Sequence, residues 1–454
     1  ASLRHHLRRP ALAQALEREE AQLNLNAEIQ GLKGRMRDLV VGLLGSADEN
    51  LRTIEYMFHL GYPANEETLA KWMEPWDDFF TKERISDPLA TMLYRPIFYS
   101  LGEEHFMLMG SSEHPEVNAR FREYLRQKHG TLERLNEVWG TDYSSWDDVQ
   151  MLTPHIVDTL KIEQGVIQHE NRRFMEHLFT AKHAYLADRL RELDPEGMMG
   201  IHAGWDLWMG RGYDYWLLSH ALDAMMGYSG PQNQYMRSFC ERHFGCWFHY
   251  SVGSVHDVRW HPWYMLMSGA HGFGWYTIAP QIWGATAADM QLSSDWEACK
   301  DEIRDVGDIG DLLVKAEYQD DQVAIHYSQD SYHTGMIGLG ISNLSWVHQA
   351  FTNLLFDAGV PHRWVSYEQL ANGEVTPERF KVLILPHSRS MSAAEVAGVR
   401  AYVEAGGLVW ADEIPATHDE SGRKLDESAL VDLFAALSTE PLSGPTTRYQ
   451  HQVA

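Results

Sequence analysis

Pro96-Ile97-Phe98-Tyr99-Ser100-Leu101-Gly102-Glu103-Glu104-His105 opens on an apolar run and closes on two adjacent carboxylates and an imidazole. Such a run reads as a buried strand that ends on polar side chains. The same pattern returns downstream, with strand signals at 198–203, 221–228, 246–252 and 273–278. Amphipathic helix patterns fill 116–136 and 161–193, and the later gaps are long enough for a helix each. Strand and helix in alternation imply a parallel sheet or a barrel. Polar, aromatic and His residues collect just after each apolar run, where a (β/α) barrel keeps its active-site loops. Upstream, 1–38 reads as helix, rich in Ala, Glu, Gln and Arg, and 39–45 as one short buried strand.

Beyond a short acidic linker at 317–322 a second βα series begins. Strands are expected at 323–327, 362–365, 381–386 and 408–411, with helices at 345–358 and 393–405 and a glycine stop at Gly406-Gly407. In outline this is an open doubly wound sheet of the Rossmann or flavodoxin kind. The expected division is a helical segment over 1–38, a barrel over 39–318 and an α/β domain over 323–440.

Charge narrows the partners. The chain has 38 basic against 64 acidic residues, a net −26 that repels nucleic-acid phosphates and anionic membranes. No apolar stretch approaches the roughly 20 residues of a membrane span. Cys240, Cys246 and Cys299 have neither zinc-site spacing nor the density of a disulfide scaffold. No metal and no cofactor is therefore expected. The compartment stays open, leaning toward a soluble cytoplasmic protein, although the chain starts with Ala rather than Met. Aromatic residues crowd between Trp205 and Trp283, and rings there would serve either as stacking platforms for sugars or as filling for a barrel core.

Three stretches together resemble the family 42 glycoside hydrolases. Tyr99 to His105, YSLGEEH, is similar to the family's fourth-strand motif, which closes on a Glu. The segment 121–149, FREYLRQKHGTLERLNEVWGTDYSSWDDV, resembles the family's Leu-Asn-x-x-Trp-Gly-Thr stretch and is the most specific of the three. The third, 380–413, resembles the family's trimerisation domain, a glutaminase-like fold without catalysis of its own. The resemblance implies an α/β protein: a (β/α)8 TIM barrel followed by the doubly wound domain, and a homo-oligomer, trimer or dimer. Two departures stand out. Residues 1–98 supply one clear strand ahead of the fourth-strand motif, so a fragment or a remodelled barrel, incomplete at its N-terminus, is expected. The family's nucleophile is a Glu ending the seventh strand, yet the corresponding Gly245-Cys246-Trp247-Phe248-His249-Tyr250-Ser251-Val252-Gly253 holds no carboxylate.

The resemblance thus implies hydrolysis of β-linked sugars in an oligosaccharide or polysaccharide. Cleavage of a glycosidic bond needs a carboxylic acid for the leaving oxygen and usually a second carboxylate. Glu104 fits the first role, with a loop-capping carboxylate as the plain alternative. Asp206 is the better choice for the second, since it follows a strand, whereas Asp223 precedes one and would cap or salt-bridge. Glu103, His202, Trp205, Tyr228, His249, Tyr250 and Trp275 are the expected sugar-binding residues. A metal at His202, His249, His256 and His261 is disfavoured, because 256 and 261 miss the i, i+4 spacing that places two imidazoles on one helix face. The rival class is an inactive carbohydrate-binding or assembly protein.

Overall fold

The computed structural model describes residues 99–103, 115–152, 165–204, 212–227, 231–240, 244–250, 255–276, most of 291–336, and 344–434. The helix expected over 1–38 and the strand over 39–45 lie outside them, as does most of the linker 317–322.

The apolar runs form strands β1 (Tyr99–Glu103), β2 (Met199–Gly204), β3 (Ala224–Gly227), β4 (Phe244–Tyr250) and β5 (Gly272–Tyr276). They pair parallel in sequential order, β1-β2-β3-β4-β5. Each pairs with the next after at least one intervening helix, which is how the wall of a (β/α) barrel is built. The fold is accordingly α/β, of the TIM-barrel class, with a second parallel sheet. Gly200 is required by the close approach of neighbouring strands: a Cβ there would sit 2.5 Å from the carbonyl oxygen of Ala224.

Between β1 and β2 lie α1 (Pro115–His129), α2 (Leu132–Trp139) and α3 (Gly165–Leu193). The single helix expected over 116–136 is thus two. Gly130 adopts φ 76, ending α1, and Thr131 then caps α2 by accepting from the backbone N–H of Arg134. Gly140 closes α2 in the left-handed conformation. Asn136 ties down the turn that follows: its amide donates to the carbonyl of Tyr143, and its Oδ1 accepts from Thr141 Oγ1 and Tyr143 N–H. Trp139 Nε1 donates to the buried Glu170 of α3 over 2.8 Å. The Leu-Asn-x-x-Trp-Gly-Thr stretch is therefore a packing and turn device.

After β2 come α4 (Tyr215–Ser219) and, after β3, α5 (Pro231–Phe239); α6 (Val255–Met267) follows β4 and α7 (Ser294–Leu313) follows β5. The second sheet contains β6 (Val323–Tyr327), β7 (His362–Ser366), β8 (Val382–Leu385) and β9 (Leu408–Ala411), all parallel in the order β7-β6-β8-β9. Its helices are α8 (Gln329–Met336), α9 (Leu344–Asp357), α10 (Tyr367–Ala371) and α11 (Ala393–Glu404). Ser392 caps α11 in a capping box with Glu395, and Gly406, at φ 94, turns the chain into β9.

One core joins the two sheets. Tyr235 of α5 packs edge-on against Tyr327 of β6 and Trp364 of β7, at ring separations of 4.9 and 4.8 Å, and all three are fully buried. Arg237 Nη2 donates to the carbonyl of His362, Arg363 Nη2 to that of Ser238, and Trp364 N–H to Ser238 Oγ. Paired rings of this kind add about 0.5–1.5 kcal/mol each beyond the area they bury.

Candidate active site

Parallel order places the C-terminal ends of all five strands along one edge of the first sheet. The cross-strand register pairs Glu103 with His202, His202 with Met226, and His249 with Trp275. Glu103, His202, His249, Tyr250 and Trp275 therefore share the C-terminal edge, where barrel enzymes carry their chemistry. The register shifts between Ser100 and Glu103 in β1 and between His202 and Gly204 in β2. Irregularities of that kind re-aim side chains next to sites. Only the backbone of these five residues is described; Glu104, Trp205, Asp206 and Tyr228 lie outside the described residues. Asp223 has the bracing role expected of it: Oδ2 accepts from the Met199 N–H and from Arg191 Nη2. With β1 as the fourth barrel strand, sequential order makes β4 the seventh, and its sequence FGCWFHY carries no carboxylate.

The structure also assembles titratable groups that sequence reasoning missed. Where α3 meets α4, α8 and α10, Arg173 Nη1 donates to Asp214 Oδ2 at 2.8 Å and Glu176 Oε2 at 3.1 Å. Tyr367 donates its hydroxyl proton to the same Asp214 oxygen at 2.9 Å. Asp214 also caps α4, accepting from the N–H groups of Trp216 and Leu217. Gln329 Nε2 donates to Glu176 Oε1 and to the carbonyl of Tyr213, and Tyr327 Oη accepts from Tyr215 N–H. The second sheet thereby grips the segment Tyr213 to Tyr215 from three side chains.

Burial sets the proton affinities here. It pushes Glu176 up to about 7 against the pull of Arg173, and raises Asp214 as well, again with Arg173 opposing. Burial alone would raise Asp330 too, but the hydrogen bond from His169 and the Arg173 charge hold it well below the carboxylate range. A second buried carboxylate, Glu170, is satisfied differently. Burial pushes it up, yet His129, Lys128 and Trp139 together bring it below its usual value. His129 Nε2 lies 2.9 Å from both carboxylate oxygens and Lys128 Nζ 3.2 Å from one. No periodic motif announces either cluster, because their members come from elements far apart in sequence.

A parallel α/β wall with polar and aromatic residues at its C-terminal edge defines a protein of the TIM-barrel class. Comparison with known proteins gives the family it resembles. Residues 98–280 match the family model described as beta-galactosidase, glycoside hydrolase family 42, and the resemblance to that family is thereby shown over this segment. No curated protein matches the sequence. Among solved structures, a beta-galactosidase from Bacillus circulans sp. alkalophilus is 13% identical, with a TM-score of 0.65 over 82% of this chain and 58% of its own. The apo exo-carrageenase GH42 from Bacteroides ovatus is 16% identical, with a TM-score of 0.52 over 69% of this chain and 48% of its own. A beta-galactosidase from the Antarctic haloarchaeon Halorubrum lacusprofundi is 14% identical, with a TM-score of 0.57 over 80% and 60%. At these identities the likeness is one of fold, and the chain spans roughly half to three-fifths of the length of these relatives.

Proposed function

We propose that the chain is a glycoside hydrolase acting on β-linked sugars, with a β-galactoside as the substrate class that the family description supports. The observation that carries the reading is the family 42 match over 98–280, which spans the strands whose C-terminal edge holds the sugar-binding candidates. Glu104, next to the end of β1, is the acid that protonates the departing glycosidic oxygen. Asp206, in the segment after β2, is the second carboxylate. With about 6.5–9.5 Å between the two it would activate water and invert the anomeric centre; about 5 Å would make it a nucleophile with retention. Glu103, His202, Trp205, Tyr228, His249, Tyr250 and Trp275 bind the sugar through hydroxyl hydrogen bonds and ring stacking.

The same reading divides the chain into a barrel over 39–318 and an assembly domain over 323–440. Trp346 and Leu354 on α9, with Leu408 and Trp410 on the edge strand β9, are exposed large apolar residues, which supports a homo-oligomer formed through the second sheet. Among the described residues no helix is long and apolar enough to cross a membrane.

One observation favours a second reading. The lack of a carboxylate in β4 removes the family's nucleophile, as it would in a protein that binds carbohydrate without cleaving it. Turnover of aryl β- and α-glycosides and of plant or algal polysaccharides separates the two. The hydrolase reading expects activity that Glu104→Gln removes while sugar binding persists. Binding without turnover across the whole panel, or turnover untouched by Glu104→Gln, would overturn it.

A further inference from the structure

We propose that His169, Asp330 and His333 form a binding site for a zinc-class divalent cation, which fastens α3 of the first sheet's layer to α8 of the second. Asp330 and His333 stand at i and i+3 on α8, so they share one helix face. His169 reaches them from the N-terminal part of α3. One donor atom from each of the three lies within 4.8 Å of the others. His169 Nε2 and Asp330 Oδ1 are 3.3 Å apart, the edge of a tetrahedron whose metal–ligand bonds are about 2.0–2.1 Å. The His333 ring, 4.8 Å from that of His169 and perpendicular to it, would close in to complete the set.

The surroundings are those of a metal site. His333 Nε2 faces Glu176 Oε1 at 2.6 Å, an oxygen that also accepts from Gln329, so the ring proton is assigned to Nε2 and Nδ1 is left with its lone pair. That is the carboxylate–histidine–metal arrangement by which an outer carboxylate orients a ligand. Nδ1 of His333 and Nδ1 of His169 meet no hydrogen-bond partner among the described residues, and His169 Nε2 faces Asp330 alone, although both side chains are 1% exposed. Buried imidazole nitrogens without partners are costly, and a cation satisfies them. Arg173 Nε lies 3.6 Å from Asp330 Oδ1, an ion-pair distance too long for a hydrogen bond, which leaves lone pairs on the carboxylate for an ion. Arg173 is ion-paired with Asp214, Glu176 and Asp330, so its positive charge is offset at the junction. Two nitrogens and one oxygen suit Zn²⁺, with water as the fourth ligand.

The site is independent of the glycosidase reading, because its readout is metal content. The full chain, stripped with chelator, exposed to excess Zn²⁺ and dialysed, is expected to retain a single zinc by elemental analysis. Asp330→Asn and His169→Gln should abolish retention, and Glu176→Gln should weaken affinity roughly 10–100-fold. His387→Gln, at the exposed pair with Asp412, should change nothing. Absence of retained zinc, retention indifferent to Asp330→Asn, or loss confined to His387→Gln would overturn the proposal. Should the ligand variants fail to fold, Co²⁺ bound to the unaltered chain decides: intense visible bands of a tetrahedral ion support the site, and weak octahedral bands or none refute it.

Discussion

Trp139 shows how much a single residue can mean beyond its motif. In the sequence it marks the family resemblance; in the structure its indole donates to Glu170, a carboxylate with no exposed side-chain surface. Trp139→Phe keeps most of the ring volume and removes one hydrogen bond to a buried charge, worth about 1.5–3 kcal/mol. The unfolding free energy from urea titration should fall by that amount. A loss below a few tenths of a kcal/mol would mean that Lys128 and His129 already satisfy Glu170 alone. The motif was legible in the sequence, but its purpose was not, since Glu170 lies in a different helix. The candidate site residues are read from their places at and after apolar runs; the five whose backbone is described are all sugar-binding candidates on the C-terminal edge, and the catalytic candidates Glu104 and Asp206 lie outside the described residues. The junction around Glu176 was invisible for the opposite reason: His169 and His333 are close in space and remote in the chain.

At the level of elements the hydrophobic period carried most of the fold. Every strand expected from 198 onward is present with ends shifted by a few residues, because a strand stops where pairing stops and not where apolar residues stop. The broken helix at Gly130 was missed because α1 and α2 continue one amphipathic pattern across the break. Helix α8 was missed on physical grounds: Gln329, Ser331 and His333 are its buried residues together with Tyr332 and Met336, so its inward face is largely polar and shows no apolar stripe. Ser331 donates to the carbonyl of Ser390 and accepts from its N–H, bonds that no pattern of hydrophobicity can signal. Strand spacing carries a prediction at this scale. Gly200→Ala would drive a methyl into the β3 backbone at Ala224, where no side-chain rotation can relieve it. Overpacking of this sort costs about 1–3 kcal/mol. Thermal unfolding should shift downward accordingly, whereas an unchanged midpoint would show that β2 and β3 can part without loss.

Over the whole molecule, the shared core makes the two sheets one cooperative unit, and His348 of α9 reports on it. Its ring is fully buried, with Nδ1 at 2.6 Å from the hydroxyl of Tyr235, a residue of the first sheet's layer. Burial drives its proton affinity well below the usual value, and the nearby charges of His326 and His387 act in the same direction. Native His348 is therefore neutral at pH values where the unfolded chain, titrating near 6.5, takes up a proton. The unfolded state then binds more protons, so stability is full above about pH 6.5 and declines as pH falls through and below that value. The slope approaches roughly 1.4 kcal/mol per pH unit for one such group once the unfolded imidazole is charged. His333, lowered in the same manner by burial, adds to the decline in the unaltered protein. Urea titrations between neutral pH and pH 5 should show the decline, and His348→Gln should flatten it by one proton's worth while the loss at neutral pH stays that of a single core substitution. If the two sheets were separate units, the fluorescence of Trp364 beside His348 and that of Trp139 in α2 would lose their native signals at different denaturant concentrations. A single coincident transition, moving to lower urea as the pH falls, is what a core shared through Tyr235, Tyr327 and Trp364 requires.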